Sequence, residues 1–131
     1  MRKFNALIIS ILVVAVPVGC SDKVTVKTYR YLSPDNHWVV TADTIQHFGP
    51  GTAGIETPVY LSPANSDNPK KVQILYFLHN GDESPQDFYF RAVWQSPSRV
   101  TVFYHGDVNL EYQVARIHGI QITAENVGTP P

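Results

Sequence analysis

The chain has one cysteine in 131 residues, at position 20, so no internal disulfide can staple its fold. Charge is also sparse, with charged side chains at 16% of the sequence. Setting Arg2 and Lys3 aside from the ten basic residues leaves eight, against eleven acidic ones. Phosphate neutralisation needs a clustered cationic face, and past residue 3 the adjacent basic pair is Lys70-Lys71, which reads as a solvated turn. Nucleic acid is therefore not an expected partner. No amphipathic helical period of useful length occurs, and the histidines show no His-x-His, HExxH or Cys/His grouping.

What the chain does have begins at its start. Met1-Arg2-Lys3 is a cationic head, and residues 4–18 are almost wholly apolar, broken by Asn5, Ser10 and Pro17. That is the layout of an export signal. A spanning helix needs about 20 apolar residues, more than this run supplies before the polar Ser21-Asp22-Lys23. Residues 20–131 are 112 in number, the size of one ordinary domain.

Pro17-Val18-Gly19-Cys20 resembles the lipobox of bacterial lipoproteins, in which a small residue precedes a cysteine that is acylated and becomes the new N-terminus. Pro17 stands where that family usually has a branched or aliphatic residue. The resemblance implies a lipoprotein signal peptide over residues 1–19 and a membrane anchor through acylated Cys20. It also makes sense of an otherwise solitary thiol, which in an exported protein would invite oxidation. Ser21, rather than an aspartate, follows the cysteine. In a Gram-negative host this implies the outer membrane, facing the periplasm.

Beyond residue 22, short runs rich in Val, Ile, Tyr, Phe and Thr alternate with Pro, Gly, Asn, Asp and Ser clusters about every ten residues, the pattern of an all-β domain. Strands are expected at 24–32, 37–46, 57–61, 72–79, 88–95, 99–105, 108–117 and 120–124. Ser33-Pro34-Asp35-Asn36, Ser96-Pro97-Ser98 and His105-Gly106-Asp107 carry turn chemistry. Phe88, Phe90, Ala92 and Trp94 fall on one face of their strand, with Tyr89, Arg91, Val93 and Gln95 on the other. Ile74 to Leu78 are continuously apolar, which suits a central strand covered on both sides. A small, mostly antiparallel β-sandwich or partly open barrel of about seven or eight strands follows.

The segment Ser33–Val40 is similar to a hairpin common in propeller blades, yet a propeller needs at least four blades of about 40 residues and no such repeat is present. Together Cys20, residues 33–40, the glycine-rich stretch 49–54, Val59-Tyr60-Leu61 and Ala92-Val93-Trp94 resemble small uncharacterised bacterial lipoproteins. That resemblance carries no activity with it.

Candidate chemistry is thin. His37, His47, His79, His105 and His118 are dispersed, so no metal site is expected, since ligation needs three or four side chains at one point. No cofactor motif is found, and 48–54 has three glycines but no following helix to hold a phosphate. That loop is the first candidate contact surface, through His47, Phe48, Gly49, Gly51 and Gly54. Asp82, Glu83 and Asp87 share one loop without the spacing of a calcium site. The leading expectation is a non-enzymatic, lipid-anchored domain of the cell envelope that binds a protein or envelope component. The alternatives are an immunity or inhibitor lipoprotein that neutralises a toxin or hydrolase in the periplasm, and a hydrolase using His105 or His118.

Overall fold

Polar turns divide the described residues into nine strands: β1 (Asp22–Leu32), β2 (Trp38–Phe48), β3 (Gly54–Pro63), β4 (Val72–His79), β5 (Tyr89–Ser96), β6 (Arg99–His105), β7 (Val108–Gln113), β8 (Arg116–Ile117) and β9 (Ile120–Asn126). These are seen in a computed structural model that describes residues 22–49, 54–81 and 84–128. Cys20 and the signal over 1–19, Gly51, Asp82 and Glu83 lie outside the described residues.

The strands form two sheets, one ordered β1-β2-β3-β4-β7 and one ordered β5-β6-β9-β8. All pairings are antiparallel except β6 with β9, which run parallel. Period-two alternation decides what lies between the sheets. Val40, Ala42, Val59, Leu61, Leu75 and Phe77 face inward from the first sheet, and Phe88, Phe90, Ala92, Val100, Val102 and Ile122 oppose them. Each fully buried Val, Leu, Ile or Phe among them contributes about 1.5–3 kcal/mol relative to exposure. At the centre, the Phe77 ring lies 4.7 Å from Tyr104 and 5.5 Å from Phe88, both tilted. Such arrangements suit the ring quadrupoles.

Two edges meet without a ladder. Trp94 Nε1 donates to the Tyr31 carbonyl at 3.1 Å, and the Tyr31 hydroxyl donates to the Phe90 carbonyl at 3.3 Å. These side chains tie β1 to β5 while the backbones stay unpaired, so the structure is a sandwich and not a closed barrel. Burial, with neighbouring tyrosines adding to it, pushes the Tyr31 phenol above its ordinary range.

Two expectations need correction. The strand expected at 108–117 is two strands in different sheets, because Val114 turns the corner: its N–H donates to the Ile74 carbonyl at 2.9 Å, while Ala115 accepts from Ile122 N–H at 2.9 Å. The apolar run at 74–78 does sit in an interior strand, between β3 and β4's other neighbour β7, but it is not covered on both sides. Val59 pairs with Leu75 and Tyr60 with Gln73, so Ile74 is the extra residue of a bulge. The bulge lets Ile74 and Leu75 both be fully buried, whereas Leu78 on the outer face is 40% exposed.

Strand directions give the sandwich two distinct ends. β1 begins where β2 ends, with Asp22 paired to Phe48. Phe48, Gly49, Gly54, Asn80, Gly81, the 105–107 turn and the end of β9 share that end, here the near end. The far end holds the turns at 33–37, 97–98 and 118–119. It lies about 33 Å away along the eleven residues of β1.

Candidate functional site

At the near end, the β2–β3 hairpin sets the register. Ile45 pairs with Glu56 and His47 with Gly54, so Thr44 and Thr57 share the inward face one step further from the turn. β4 then brings His79 beside them. Thr57 Oγ1 lies 2.9 Å from Thr44 Oγ1 and 2.8 Å from His79 Nε2. Both threonines are fully buried. β-Branched side chains fit the pleat, and the mutual bonds satisfy hydroxyls that would otherwise be costly to bury. The His79 ring stands edge-on to Phe88 at 4.7 Å, which fixes its plane.

His79 forms part of the wall of a cleft of about 410 Å³, completed by Gln46, His47, Phe48, Gly54, Ile55 and Gly81. Phe48 is 45% exposed at its lip. Gly54 opens it further, since a Cβ there would meet nothing within 4 Å. The outward-facing side chains of the same hairpin form a second polar group. Glu56 Oε1 is 3.3 Å from His47 Nε2, and Glu56 Oε2 accepts a 2.6 Å hydrogen bond from the Tyr76 hydroxyl. That bond, followed by burial and by the carboxylate charge, pushes the Tyr76 phenol up to about 12.

The expected contact residues His47, Phe48 and Gly54 are thus brought together at one cleft. Gly49 follows directly on Phe48 with a φ of 128°, a conformation that favours glycine. Asp87 lies on the near-end connection into β5. His105 and His118, the residues of the hydrolase reading, stand at opposite ends. His118 sits in the β8–β9 turn with its ring stacked on Trp38 at 5.0 Å and 17°. Asp107 is engaged with Asn80, accepting from its side-chain amide at 3.4 Å and, through the carbonyl, from its backbone N–H at 2.8 Å. His37 is held against Asp35 at 3.1 Å at the far end. Among the described residues no three His, Cys, Asp or Glu side chains converge as metal ligands would.

Thr57 and His79 are spaced as a nucleophile and base would be. Thr57 is fully enclosed, however, and its oxygen is already shared with Thr44. A substrate carbonyl has no approach to it, and the trio acts as an internal brace behind the cleft. Sequence reasoning missed this brace, although the signal was available: threonines at 44 and 57 are equidistant from the centre of a hairpin turn and must face each other if the turn is symmetrical.

The fold and cleft define a two-sheet β domain with an apolar-lipped cavity at its point of chain entry. No protein-family model, curated protein or solved structure matches this chain.

Proposed function

We propose that the chain is a lipid-anchored domain of the cell envelope, held by acylated Cys20, that binds a protein or other envelope component without catalysing a reaction on it. The observation that supports this most is the pairing of Phe48 with Asp22, which puts the lip of the cleft beside the point of chain entry. Cys20 precedes Asp22 by two residues, and two residues reach at most about 7 Å. An acyl group on Cys20 therefore holds this end at the membrane surface. Val24, 52% exposed, adds a second apolar side chain there, with Lys23 and Lys27 exposed nearby. Apolar groups flanked by ammonium groups suit the boundary between acyl chains and headgroups. Whatever the cleft captures is met at the membrane. In a Gram-negative host, Ser21 implies the periplasmic face of the outer membrane.

Binding, rather than turnover, agrees with the enclosed position of Thr57 and with the bracing role of His79. The anchor is tested by the intact mass of the membrane fraction beside a Cys20→Ser variant. Wild-type protein should carry the acyl mass and the variant should be released; a soluble wild type at the unmodified mass overturns the anchor. The contact surface is tested by replacing Phe48 with a photo-crosslinking benzoylphenylalanine in living cells, with Thr123 on the outer face of the second sheet as comparison. A discrete adduct specific to position 48 is expected. The same products from both positions would rule the cleft out.

A further inference from the structure

The second sheet carries a different kind of site at the far end. Arg99 in β6 and Arg116 in β8 both pair with Gln121 of β9, one from each side. Their outward side chains therefore occupy one row across three strands, with α-carbons about 10 Å apart at the usual strand spacing. A guanidinium on its flexible stem reaches well past half that distance, so the two can close on one group above Gln121. Beneath them is a cleft of about 270 Å³ whose other walls include Ser96 and Ser98.

The floor is rigid. Ser98 N–H donates to Ser96 Oγ at 3.3 Å, the two hydroxyl oxygens are 3.4 Å apart, and the Ser98 carbonyl accepts from Gln121 N–H at 2.8 Å. These bonds lock the β5–β6 turn onto β9, so the serine hydroxyls are held in position. Neither guanidinium forms an ion pair or hydrogen bond with another described residue. No carboxylate lines the cleft. Among the described residues of this sheet's strands the only carboxylate is Glu125, four positions beyond Gln121 on β9, or about 13 Å along the strand. Two fixed positive charges therefore face solvent together in a chain that is acidic overall.

We infer that the cleft between Arg99 and Arg116 binds a phosphate monoester group. Two positive charges match a group carrying close to two negative ones, and forked guanidiniums match its oxygens two at a time. Gln121 and the serine hydroxyls supply neutral donors from below. A single carboxylate would satisfy one arginine and leave the other unmatched. The site stands on its own residues and does not depend on acylation of Cys20. If Cys20 is acylated, the site points away from that membrane.

The test uses the full-length protein in detergent and follows the side-chain Nε–H signals of its arginines by NMR. Inorganic phosphate at pH 7.5 should shift Arg99 and Arg116 together along one saturating curve, with acetate at least about tenfold weaker. The Arg99→Gln/Arg116→Gln double variant should lose at least about tenfold in phosphate affinity, whereas Arg30→Gln should stay within about twofold of wild type. Arg99→Lys/Arg116→Lys, which keeps the charge but not the fork, should fall between. Glucose 1-phosphate and vesicles containing phosphatidic acid then separate a soluble monoester from a lipid-borne one, and loss of either interaction in the double glutamine variant upholds the site. Non-saturating shifts, equal response to acetate, or an unaffected double variant overturn it. Membrane fractionation of the same variants reads the anchor separately, so failure of one reading does not imply failure of the other.

Discussion

The two ends of the sandwich are built on different terms. The far end holds the 64–71 connection and, beside it, short turns such as 33–37 whose side chains bond to their own backbone. Ser33 donates to Asp35 at 2.6 Å and accepts from Trp38 N–H at 3.0 Å, Asn36 takes a φ of 59°, and His118 and Gly119 take φ values of 51° and 74°, as a two-residue hairpin turn of the primed type requires. The near end takes its order from the buried Thr44, Thr57 and His79 behind the cleft. Positive charge gathers at the far end through Arg99, Arg116, Lys70 and Lys71. One scaffold thus separates two differently built ends by the length of its strands, and a change at one end should leave the other intact.

The largest effect expected from breaking that separation lies in the near-end brace. Thr57→Val is isosteric but removes the oxygen shared by Thr44 and His79, which leaves two buried polar groups without it. A loss of about 1–3 kcal/mol in urea unfolding is expected, together with altered His79 ring signals. Far-end signals from Trp38 and Arg116 should not move. Next comes Ser33→Ala, which removes both bonds of the Ser33 hydroxyl in the 33–38 turn and should cost about 1–2 kcal/mol. Here the near-end cleft should be unchanged, and an effect on His79 signals as large as that of Thr57→Val would contradict the independence of the ends. Smaller again is His118→Asn, which keeps a residue tolerant of positive φ but deletes the stack on Trp38. A loss of about 0.5–1 kcal/mol is expected, with changed Trp38 fluorescence as the direct readout.

These contrasts explain what could be read in advance. The strands at 72–79 and 99–105 were legible residue for residue, because alternation and flanking turn residues are local signals. The split at Val114 was not. An apolar residue continues the pattern of β7, and the corner exists only because the Ile74 carbonyl, forty positions earlier in the chain, is there to accept its N–H. The bulge at Ile74 likewise made a continuously apolar run look like a two-sided strand. His47 and Phe48 were identifiable as a surface pair beside a glycine-rich loop, whereas His79 joins them only through the placement of a third strand. The Arg99, Gln121 and Arg116 row depends on a parallel pairing reached by a crossover through the other sheet, and no short-range period encodes that. Half of each site is written locally, and the other half is supplied by topology.

The smallest expected effect concerns pH, and it again distinguishes the ends. At the near end Tyr76 is pushed up to about 12, first by its hydrogen bond to Glu56. Its folded value is above the ordinary value of 10.0, so the folded state favours the protonated phenol. The resulting stability is fully present below pH 10 and is lost as the pH rises toward 12. At the far end the hydrogen bond from Ser33, with lesser help from His37, holds the Asp35 carboxyl below its usual range even though burial opposes this. Its folded value is depressed, so its contribution is present above the ordinary carboxylate range and is lost as the pH falls through the folded value. Ultraviolet titration should therefore show late-ionising phenol of which the Tyr76 part returns toward pH 10 in Glu56→Gln, while the part from Tyr31 stays. Carboxyl NMR titration should show Asp35 rising toward its ordinary value in Ser33→Ala. Each variant should leave the other group's titration where it was, because the two groups are bonded to opposite ends of the same sheet; a shift of Asp35 in Glu56→Gln would mean the ends are coupled.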